Sequence, residues 1–358
     1  MRSRNETGRE SAGELGLLRR IRARAGRGAG AGLRLGIGDD CALLRVRAGE
    51  ELAVTTDLSI AGRHFRLDWH PPEVVGHRTL ARGLSDLAAM GARPVAAFLS
   101  LGLPRGLVQK GKARSAAAAW GPAWIDRFYD GFLALAEAHK TPLAGGDLAE
   151  SPVAVADVVL VGAVRRGRAL LRSCARVGDL IYVTGKLGGA AAGLERLAKL
   201  AGESAARKTS RPGGLRVPSG MEATLQPHLY PQPRIAQGLW LARRRLATAG
   251  IDLSDGLSTD LNHLCEESGI AAEVDAAELP LYPGATLEQA LNGGEDYELL
   301  FTAAAGTRIP SAIAGVPVTQ IGRIIRKSNR RSPAALITAQ GAQPLHPSGW
   351  EHFVESNQ

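Results

Sequence analysis

The chain has 358 residues, 45% of them hydrophobic, which is enough for two domains with packed cores. No apolar stretch reaches the roughly 18–20 residues that span a bilayer. The Arg-rich start also lacks the apolar core of an export signal, so we expect a cytoplasmic protein without membrane contact. The net charge is +9, but aromatic residues make up only 4% and the arginines lie in local groups. This pattern favours anionic small ligands over nucleic acid.

Periodicity predicts the elements of the first half. In chain order they are a helix over 14–24, strands over 41–46 and 51–56, a helix over 73–90, a strand over 95–101, a helix over 124–139, a short strand with a glycine turn over 141–147, and a strand over 153–164. Asp57 is expected to end the second strand, and Gly91 to cap the second helix. The Ala-rich basic stretch 105–121 is interpreted as a surface insertion.

The second half continues with strands and helices. It is predicted to contain a strand over 180–184, a helix over 190–200, a mobile loop over 201–230, a helix over 233–246, a strand that starts at Ile251, a helix over 257–268 capped by Gly269, and strands over 298–302 and 316–325. The elements do not form a strict βαβ series, so we predict an α+β protein with domains over 1–165 and 166–358.

The three cysteines are widely separated. Cys41, Cys174 and Cys265 form no CxxC pair, which excludes a zinc site or disulfide framework of the usual spacing. We expect them to be buried as small hydrophobic side chains.

Aspartates recur in five separate places, most of them close to glycine. The stretches are Gly36 to Asp40 followed by Asp57, Ser85-Asp86, Gly145 to Asp147, Asp252 to Gly256, and Gly293 to Asp296. Any one of them can also be a polar turn, a hairpin tip, a helix cap or an exposed ion pair. Together with Thr55 and Thr56, the set predicts oxygen-only sites for Mg²⁺. The turn before Leu257 also predicts free backbone N–H groups that face an anion.

The sequence lacks the common nucleotide loops. No GxxxxGK[ST] occurs, and no GxGxxG opens a helix after a strand. No Ser-His or Cys-His pairing indicates a nucleophile, so no residue is assigned as a catalytic acid, base or nucleophile. The remaining interpretation is several Mg²⁺ ions around a polyphosphate.

The motifs together resemble one family. Gly36 to Asp40, Thr56-Asp57, His64-Phe65, Ser85 to Ala92, Gly145 to Asp147, Asp252 to Leu257 and Gly293 to Leu299 occur in the order typical of thiamine-monophosphate kinases. The similarity extends from about residue 14 to 353. It implies a two-domain fold like that of aminoimidazole ribonucleotide synthetase, with a C-terminal α/β sandwich. It also implies a homodimer whose N-terminal sheets pair.

The resemblance also implies a reaction and a set of binding residues. ATP and thiamine monophosphate would give ADP and thiamine diphosphate by direct in-line transfer. Mg²⁺ would be held by Asp39, Thr55, Thr56, Asp57, Asp86, Asp147, Asp252 and Asp255. ATP would contact Gly146, Asp147, Arg172 and Ser254. The thiamine end would contact His64, Glu295 and Trp350, whose indole suits a cationic thiazolium, although a tryptophan here can equally anchor the terminus in the core.

The chain departs from the family pattern in a few places. Gly83 stands where the family usually has Asn before Leu-Ser-Asp, and Leu148 and Ala149 replace common hydroxyl residues. The stretches 105–121 and 201–230 are longer than usual.

Two other functions remain open at this point. One is an ATP-dependent enzyme of the same fold that acts on a ribonucleotide amide, a selenide or a thiocarboxamide. The other is a basic nucleic-acid-binding protein, whose affinity for duplex DNA would fall steeply with salt.

Overall fold

The computed structural model describes residues 14–25, 32–37, 40–108, 121, 123–206, 222–327 and 332–350. Its helices are α1 Glu14–Ala25, α2 Pro72–Ala89, α3 Arg105–Val108, α4 Ala123–Ala138, α5 Gly189–Ala206, α6 Glu222–Leu229, α7 Ile235–Arg244, α8 Leu257–Ser268 and α9 Leu287–Asn292. Short 3₁₀ turns cover Arg172–Cys174 and Ala276–Glu278. None of these helices is both long and apolar enough to cross a membrane.

The strands are of unequal length. In chain order they are β1 Leu33–Leu35, β2 Leu43–Leu44, β3 Glu50–Ile60, β4 Arg93–Leu103, β5 Leu143–Glu150, β6 Val155–Arg165, β7 Leu180–Thr184, β8 Ala249–Asp252, β9 Ala271–Asp275, β10 Leu299–Ala303, β11 Ala312–Ile313, β12 Val316–Ile325, β13 Ala334–Thr338 and β14 Gly341–Pro344. Mixed sheets with helices confirm the α+β class.

The chain forms two compact units. The first comprises residues 1–83, 94–163 and 198–217, and the second comprises residues 84–93, 164–197 and 218–358. Helix α2 therefore begins in the first unit, and its last residues belong to the second.

The first unit is built on a four-stranded sheet in the order β3-β6-β4-β5, with β4 and β5 parallel. Aromatic side chains of α4 lie at helical spacing and stack on one another. The ring centroids of Trp124 and Phe128 are 5.2 Å apart, and those of Phe128 and Phe132 are 6.3 Å apart. All three side chains are essentially buried, so α4 provides much of the apolar core of this unit.

The second unit is built on an eight-stranded mixed sheet. Its order is β14-β13-β9-β12-β7-β10-β8, with β11 paired to β12. Helix α8 packs on it through Leu257, Leu261, Leu264 and Cys265, which belong to the same buried cluster as Val183 of β7. The C-terminal end of α2 also belongs here, because Gly91 at φ +63 ends the helix closely against Ala242 of α7.

Several predicted elements are confirmed. Helices 14–24, 73–90 and 257–268 occur within one or two residues of their predicted bounds, and Gly269 caps α8 in the left-handed conformation. The cysteine prediction is wrong for Cys41 and Cys174, which are exposed, and right for Cys265.

Three other predictions are wrong in part. Asp57 lies inside β3 and does not end it. The predicted glycine turn at Gly145-Gly146 is the interior of β5, paired with β4. The predicted mobile loop 201–230 contains the end of α5 and all of α6, while residues 207–221 lie outside the described part. Of the predicted insertion 105–121, only α3 and Gly121 are described.

Candidate functional site

The loop Asp252–Gly256 connects β8 to α8 and is held by an aspartate that follows it. Oδ2 of Asp260, in the first turn of α8, accepts hydrogen bonds from the backbone N–H groups of Ser254, Asp255 and Gly256 at 3.0, 3.1 and 3.2 Å. The side chain of Asp260 is buried, with 2% of its residue surface exposed. One carboxylate oxygen thereby fixes three consecutive peptide groups.

This contact corrects two expectations about the loop. The predicted free N–H donors of residues 254–256 are already engaged by Asp260, so they are not available to an anionic ligand. Neither Ser254 nor Asp255 caps α8, because the N-cap is Gly256 and no side chain bonds there. Burial, followed by the charges of Asp252 and Asp255, raises the pKa of Asp260 well above its usual value.

Asp252 is joined to the end of α2. Oγ of Ser85 donates a 2.6 Å hydrogen bond to Oδ2 of Asp252, and both residues are buried in the second unit. Asp86 is the next residue of the helix and is partly buried. The predicted ligands Asp86 and Asp252 therefore belong to one neighbourhood, although their chain positions are far apart.

The outer side of the same loop holds two predicted substrate residues. The carbonyl of Ser254 accepts from the N–H of Glu295 at 2.8 Å, and the carbonyl of Asp255 accepts from the N–H of Trp350 at 3.1 Å. Half of the surface of Trp350 is exposed. The alternative that Trp350 anchors the terminus in the core is therefore wrong, because the residue is half exposed.

The segment that carries Glu295 has an unusual backbone. Glu295 and Tyr297 have φ values of 68° and 50°, in the left-handed region where non-glycine residues cost about 1–3 kcal/mol each. The N–H of Tyr297 donates to the carbonyl of Leu253 at 2.9 Å and helps to hold this conformation. The carboxylate of Glu295 lies 3.8 Å from Nδ1 of the buried His228.

Two acidic neighbours of Glu295 are structural. Asp296 accepts from the N–H groups of Gly188 and Ala190 at 2.6 and 3.0 Å and so caps the start of α5. Burial raises the pKa of Asp296 to about 7, although these hydrogen bonds oppose the rise. Glu298 is buried and accepts from Oγ1 of Thr184 at 2.7 Å and from Nε of Arg234 at 2.6 Å.

Arg172 is exposed on its 3₁₀ turn. Its carbonyl accepts from Oγ of Ser268, at the C-terminal end of α8. The backbone of Arg172 is thus held at the opposite end of α8 from Ser254.

In the first unit, Thr55, Thr56 and Asp57 are consecutive residues of β3, so their side chains do not all point to the same face of the sheet. Thr55 and Asp57 are partly buried on one face, whereas Thr56 is exposed on the other, as alternation along a strand requires. Nε of Arg82 lies 3.5 Å from Oδ1 of Asp57. Only Thr55 and Asp57 present side chains to the same side, so a ligand role for Thr56 beside them would have to use its carbonyl.

Gly83 is explained by packing in the same place. A Cβ added at Gly83 would lie 2.8 Å from Cδ1 of Leu160 and 3.6 Å from Oδ2 of Asp57. Leu160 fills the space that a side chain at position 83 would need, so the Asn of the family pattern would fit here only if Leu160 repacked.

A cavity of about 440 Å³ in the first unit brings two predicted stretches together. It is lined by Gly36, Ile37 and Asp40 and by Gly145, Gly146 and Asp147, with Phe98 and Tyr129 among its apolar walls. Gly146 has φ +148, and a Cβ there would overlap the carbonyl oxygen of Leu99. Asp147 is exposed. Asp39 lies outside the described residues.

His64 is held within its own turn. Its Nδ1 accepts from the N–H of Ile60 at 3.1 Å, which leaves Nε2 as the ring nitrogen that can donate in a neutral imidazole. The ring is partly buried.

The donor set of the second unit fits Mg²⁺. Among the residues that the structure describes, no three His, Cys, Asp or Glu side chains are arranged to enclose a metal on their own. Mg²⁺ does not need such a cage, since it commonly binds one or two carboxylates with water and substrate phosphates. Asp252 and Asp255 offer oxygen only, and a cation beside them would offset the repulsion that they exert on Asp260.

The structure adds supporting roles that the sequence alone did not assign. Ser85, Asp260, Asp296 and the pair Arg234–Glu298 all support the site loops. A signal existed for two of them. Gly256 and the glycines before α5 provide no side-chain cap, so an acceptor has to come from elsewhere. Nothing in the local sequence indicates the contact of Ser85 with Asp252.

Two family models match the chain. The AIR synthase related protein, N-terminal domain, matches residues 38–167, and the AIR synthase related protein, C-terminal domain, matches residues 176–331.

Individual relatives are more specific. The thiamine-monophosphate kinase of Escherichia coli K12 is 38% identical over 338 residues, which are 90% of this chain and 93% of the relative. A crystal structure of the thiamine-monophosphate kinase of Stenotrophomonas maltophilia K279a is 38% identical with a TM-score of 0.72, over 90% of this chain and 96% of that one. A structure of AaThiL complexed with AMPPCP and TMP is 29% identical with a TM-score of 0.69, over 96% and 98% of the two chains.

Proposed function

Because this chain belongs to the thiamine-monophosphate kinase family, we propose that it transfers the γ-phosphate of ATP to thiamine monophosphate, giving ADP and thiamine diphosphate. The observation that carries the proposal is the convergence on one loop. Asp252–Gly256 contacts Ser85 through a side chain, and Glu295 and Trp350 through its carbonyls. The proposed metal-binding and substrate-binding residues are thus held by the same loop.

The chain's own residues bind and orient, and they supply no nucleophile. We propose that Mg²⁺ binds at the carboxylates and hydroxyl-bearing residues named from the sequence: Asp39, Thr55, Thr56, Asp57, Asp86, Asp147, Asp252 and Asp255. When bound, Mg²⁺ neutralises charge on the phosphate oxygens.

Separate residues are proposed to hold the two substrates. The cavity beside Gly146 and Asp147 has a volume suited to part of a nucleotide, and its apolar walls suit a base. Arg172 and Ser254, whose backbones lie at opposite ends of α8, are proposed to contact ATP. His64, Glu295 and Trp350 are proposed to contact the thiamine end, where the exposed indole provides a flat face for a cationic ring.

The protein is further proposed to be a homodimer. The exposed face of β3 carries Leu52, Val54 and Leu58, with exposed fractions of 54%, 60% and 46%. A long edge strand with such a face is a natural surface for pairing. The functional domains are proposed to span 1–165 and 166–358, and the place of action is proposed to be the cytoplasm, where ATP is abundant.

The direct test is incubation of the purified protein with ATP, Mg²⁺ and thiamine monophosphate, followed by chromatography. Thiamine diphosphate and ADP are expected in equal amounts. Reactions without thiamine monophosphate, or with free thiamine in its place, measure background ATP hydrolysis and acceptor choice. ADP formation without thiamine diphosphate would reject the proposed acceptor.

A further inference from the structure

We propose that Asp260 is a positioning residue for this reaction. Its Oδ2 fixes the backbone of the loop Asp252–Gly256, and this fixes the positions of the proposed metal-binding carboxylates and substrate-binding residues relative to one another. The inference rests on the proposed kinase function and assigns a role to a residue outside the proposed ligand set.

The hydrogen bonds at Oδ2 of Asp260 tie the loop to α8. Three consecutive N–H groups, from Ser254 to Gly256, converge on this single oxygen within 3.2 Å. Asp260 itself is fixed, because it lies in the first turn of α8 and its N–H donates to the carbonyl of Gly256 at 3.0 Å. The loop is therefore tied to the helix that follows it, and the helix is anchored in the core by Leu257 and Leu261.

The same loop holds other proposed site residues. With the N–H groups of residues 254–256 turned toward Asp260, the carbonyls of Ser254 and Asp255 accept from Glu295 and Trp350. Asp252, at the start of the loop, accepts from Ser85. A shift of these peptide groups would move a proposed metal ligand and two proposed substrate contacts together.

The residue type follows from the three donors. A carboxyl group offers two oxygens as acceptors and is held in place by its short side chain. An Asn at 260 would keep the size but replace one of the two oxygens by an NH₂ group, which repels N–H donors. Asp260→Asn should therefore loosen the loop without creating a cavity.

The test compares Asp260→Asn with a matched buried aspartate. Asp179 is also buried and accepts from the N–H of Arg176 and from Oγ1 of Thr248, at 2.9 and 2.6 Å, outside this loop. We expect Asp179→Asn to lower the melting temperature and to leave kcat and both KM values within about twofold of the wild type. We expect Asp260→Asn to lower kcat about 10–100-fold and to raise the Mg²⁺ concentration for half-maximal rate, as loss of a supporting hydrogen bond does at other metal sites.

A second readout does not depend on turnover. The indole of Trp350 should become more accessible to acrylamide in Asp260→Asn, with Trp350→Phe in each background to isolate its signal. Wild-type quenching and a wild-type Mg²⁺ dependence in folded Asp260→Asn would overturn the proposal. If that variant does not fold, Asp260→Glu serves instead: it keeps the carboxyl group but moves its oxygens by one methylene, so unchanged quenching and Mg²⁺ dependence would again overturn the proposal.

The two proposals fail in different ways. A wild-type protein that makes no thiamine diphosphate rejects the proposed function. The quenching of Trp350 and the melting-temperature rise with Mg²⁺ alone then still test whether Asp260 sets the loop.

Discussion

Oγ of Ser85 lies 2.6 Å from Oδ2 of Asp252, and this hydrogen bond joins residues 167 positions apart in the chain. Both residues are buried. The contact ties the C-terminal end of α2, which carries Asp86, to the end of β8. It connects two of the motifs that the sequence presents separately.

Removing this hydroxyl should affect both stability and activity. Ser85→Ala deletes a hydrogen bond to a charged group, worth about 1.5–3 kcal/mol. We expect a lower free energy of unfolding and a kcat/KM lower by about tenfold, since Asp252 loses the donor that orients it. Thr79→Val, which deletes a buried hydroxyl on the same helix that donates to the carbonyl of Val75, should keep kcat/KM. Equal activity loss in both variants would contradict a specific role for Ser85.

Loss of a proposed metal ligand should stop turnover while the fold survives. Asp57→Asn and Asp255→Asn keep side-chain size but remove a negative charge from a proposed Mg²⁺ ligand. We expect kcat to fall by at least about 100-fold in each, with circular dichroism unchanged. Wild-type kinetic constants in both variants would remove the basis for the metal assignment.

Trp350 should act on the affinity for one substrate only. The residue is half exposed and its backbone N–H is bonded to Asp255, and stacking of an indole on a cationic ring contributes about 1–2 kcal/mol. Trp350→Ala should raise KM for thiamine monophosphate about tenfold and leave KM for ATP unchanged, whereas Trp350→Phe should retain most of the affinity. A rise confined to KM for ATP would show that the indole contacts ATP and not thiamine monophosphate.

Asp296 should make stability depend on pH. Its pKa is raised in the folded protein to about 7, so the folded state binds the proton more tightly than the unfolded state. Its favourable contribution is complete below about pH 4, the unfolded value, and is lost as pH rises through about 7. At about 1.4 kcal/mol for each pH unit between the two pKa values, the loss approaches about 4 kcal/mol.

Asp296→Asn removes this titration. Chemical unfolding at pH 5 and pH 8 should therefore show a smaller decrease in stability for the variant than for the wild type. Parallel decreases in the two proteins would show that the folded pKa of Asp296 is not raised.

The exposed face of β3 predicts the oligomeric state. Val54→Asp places a charge at the centre of the apolar face, so we expect a shift from dimer to monomer in sedimentation experiments. Val177→Asp changes a valine of similar exposure, 56% against 60%, in the second unit and should leave the mass unchanged. A wild-type protein that sediments as a monomer would contradict the proposed dimer directly.

Local rules predicted the helices well. Helix α2 begins with Pro72 at its first position and ends before Gly91, and both signals are readable in the sequence. The same rules misplaced Gly145-Gly146, because two glycines before an aspartate are typical of a turn. Gly146 is needed there instead because β5 passes closely over the carbonyl of Leu99 in a parallel pair.

The sequence predicted which residues belong to the candidate site, but not how their backbones and side chains are arranged. The motifs identified Asp252, Ser254 and Asp255, but the support from Asp260 depends on which way the peptide groups turn. The contact of Ser85 depends on packing between distant segments. Such contacts arise from tertiary structure, which propensity and spacing do not encode.

The shared loop has a consequence for anyone who wishes to engineer a different acceptor. Since the carbonyls of Ser254 and Asp255 hold Glu295 and Trp350, lengthening or shortening the loop would disturb cation binding and acceptor choice at once. Exchanging only the side chains at 295 and 350 leaves the backbone scaffold intact, and it is the more promising route to a kinase with altered selectivity.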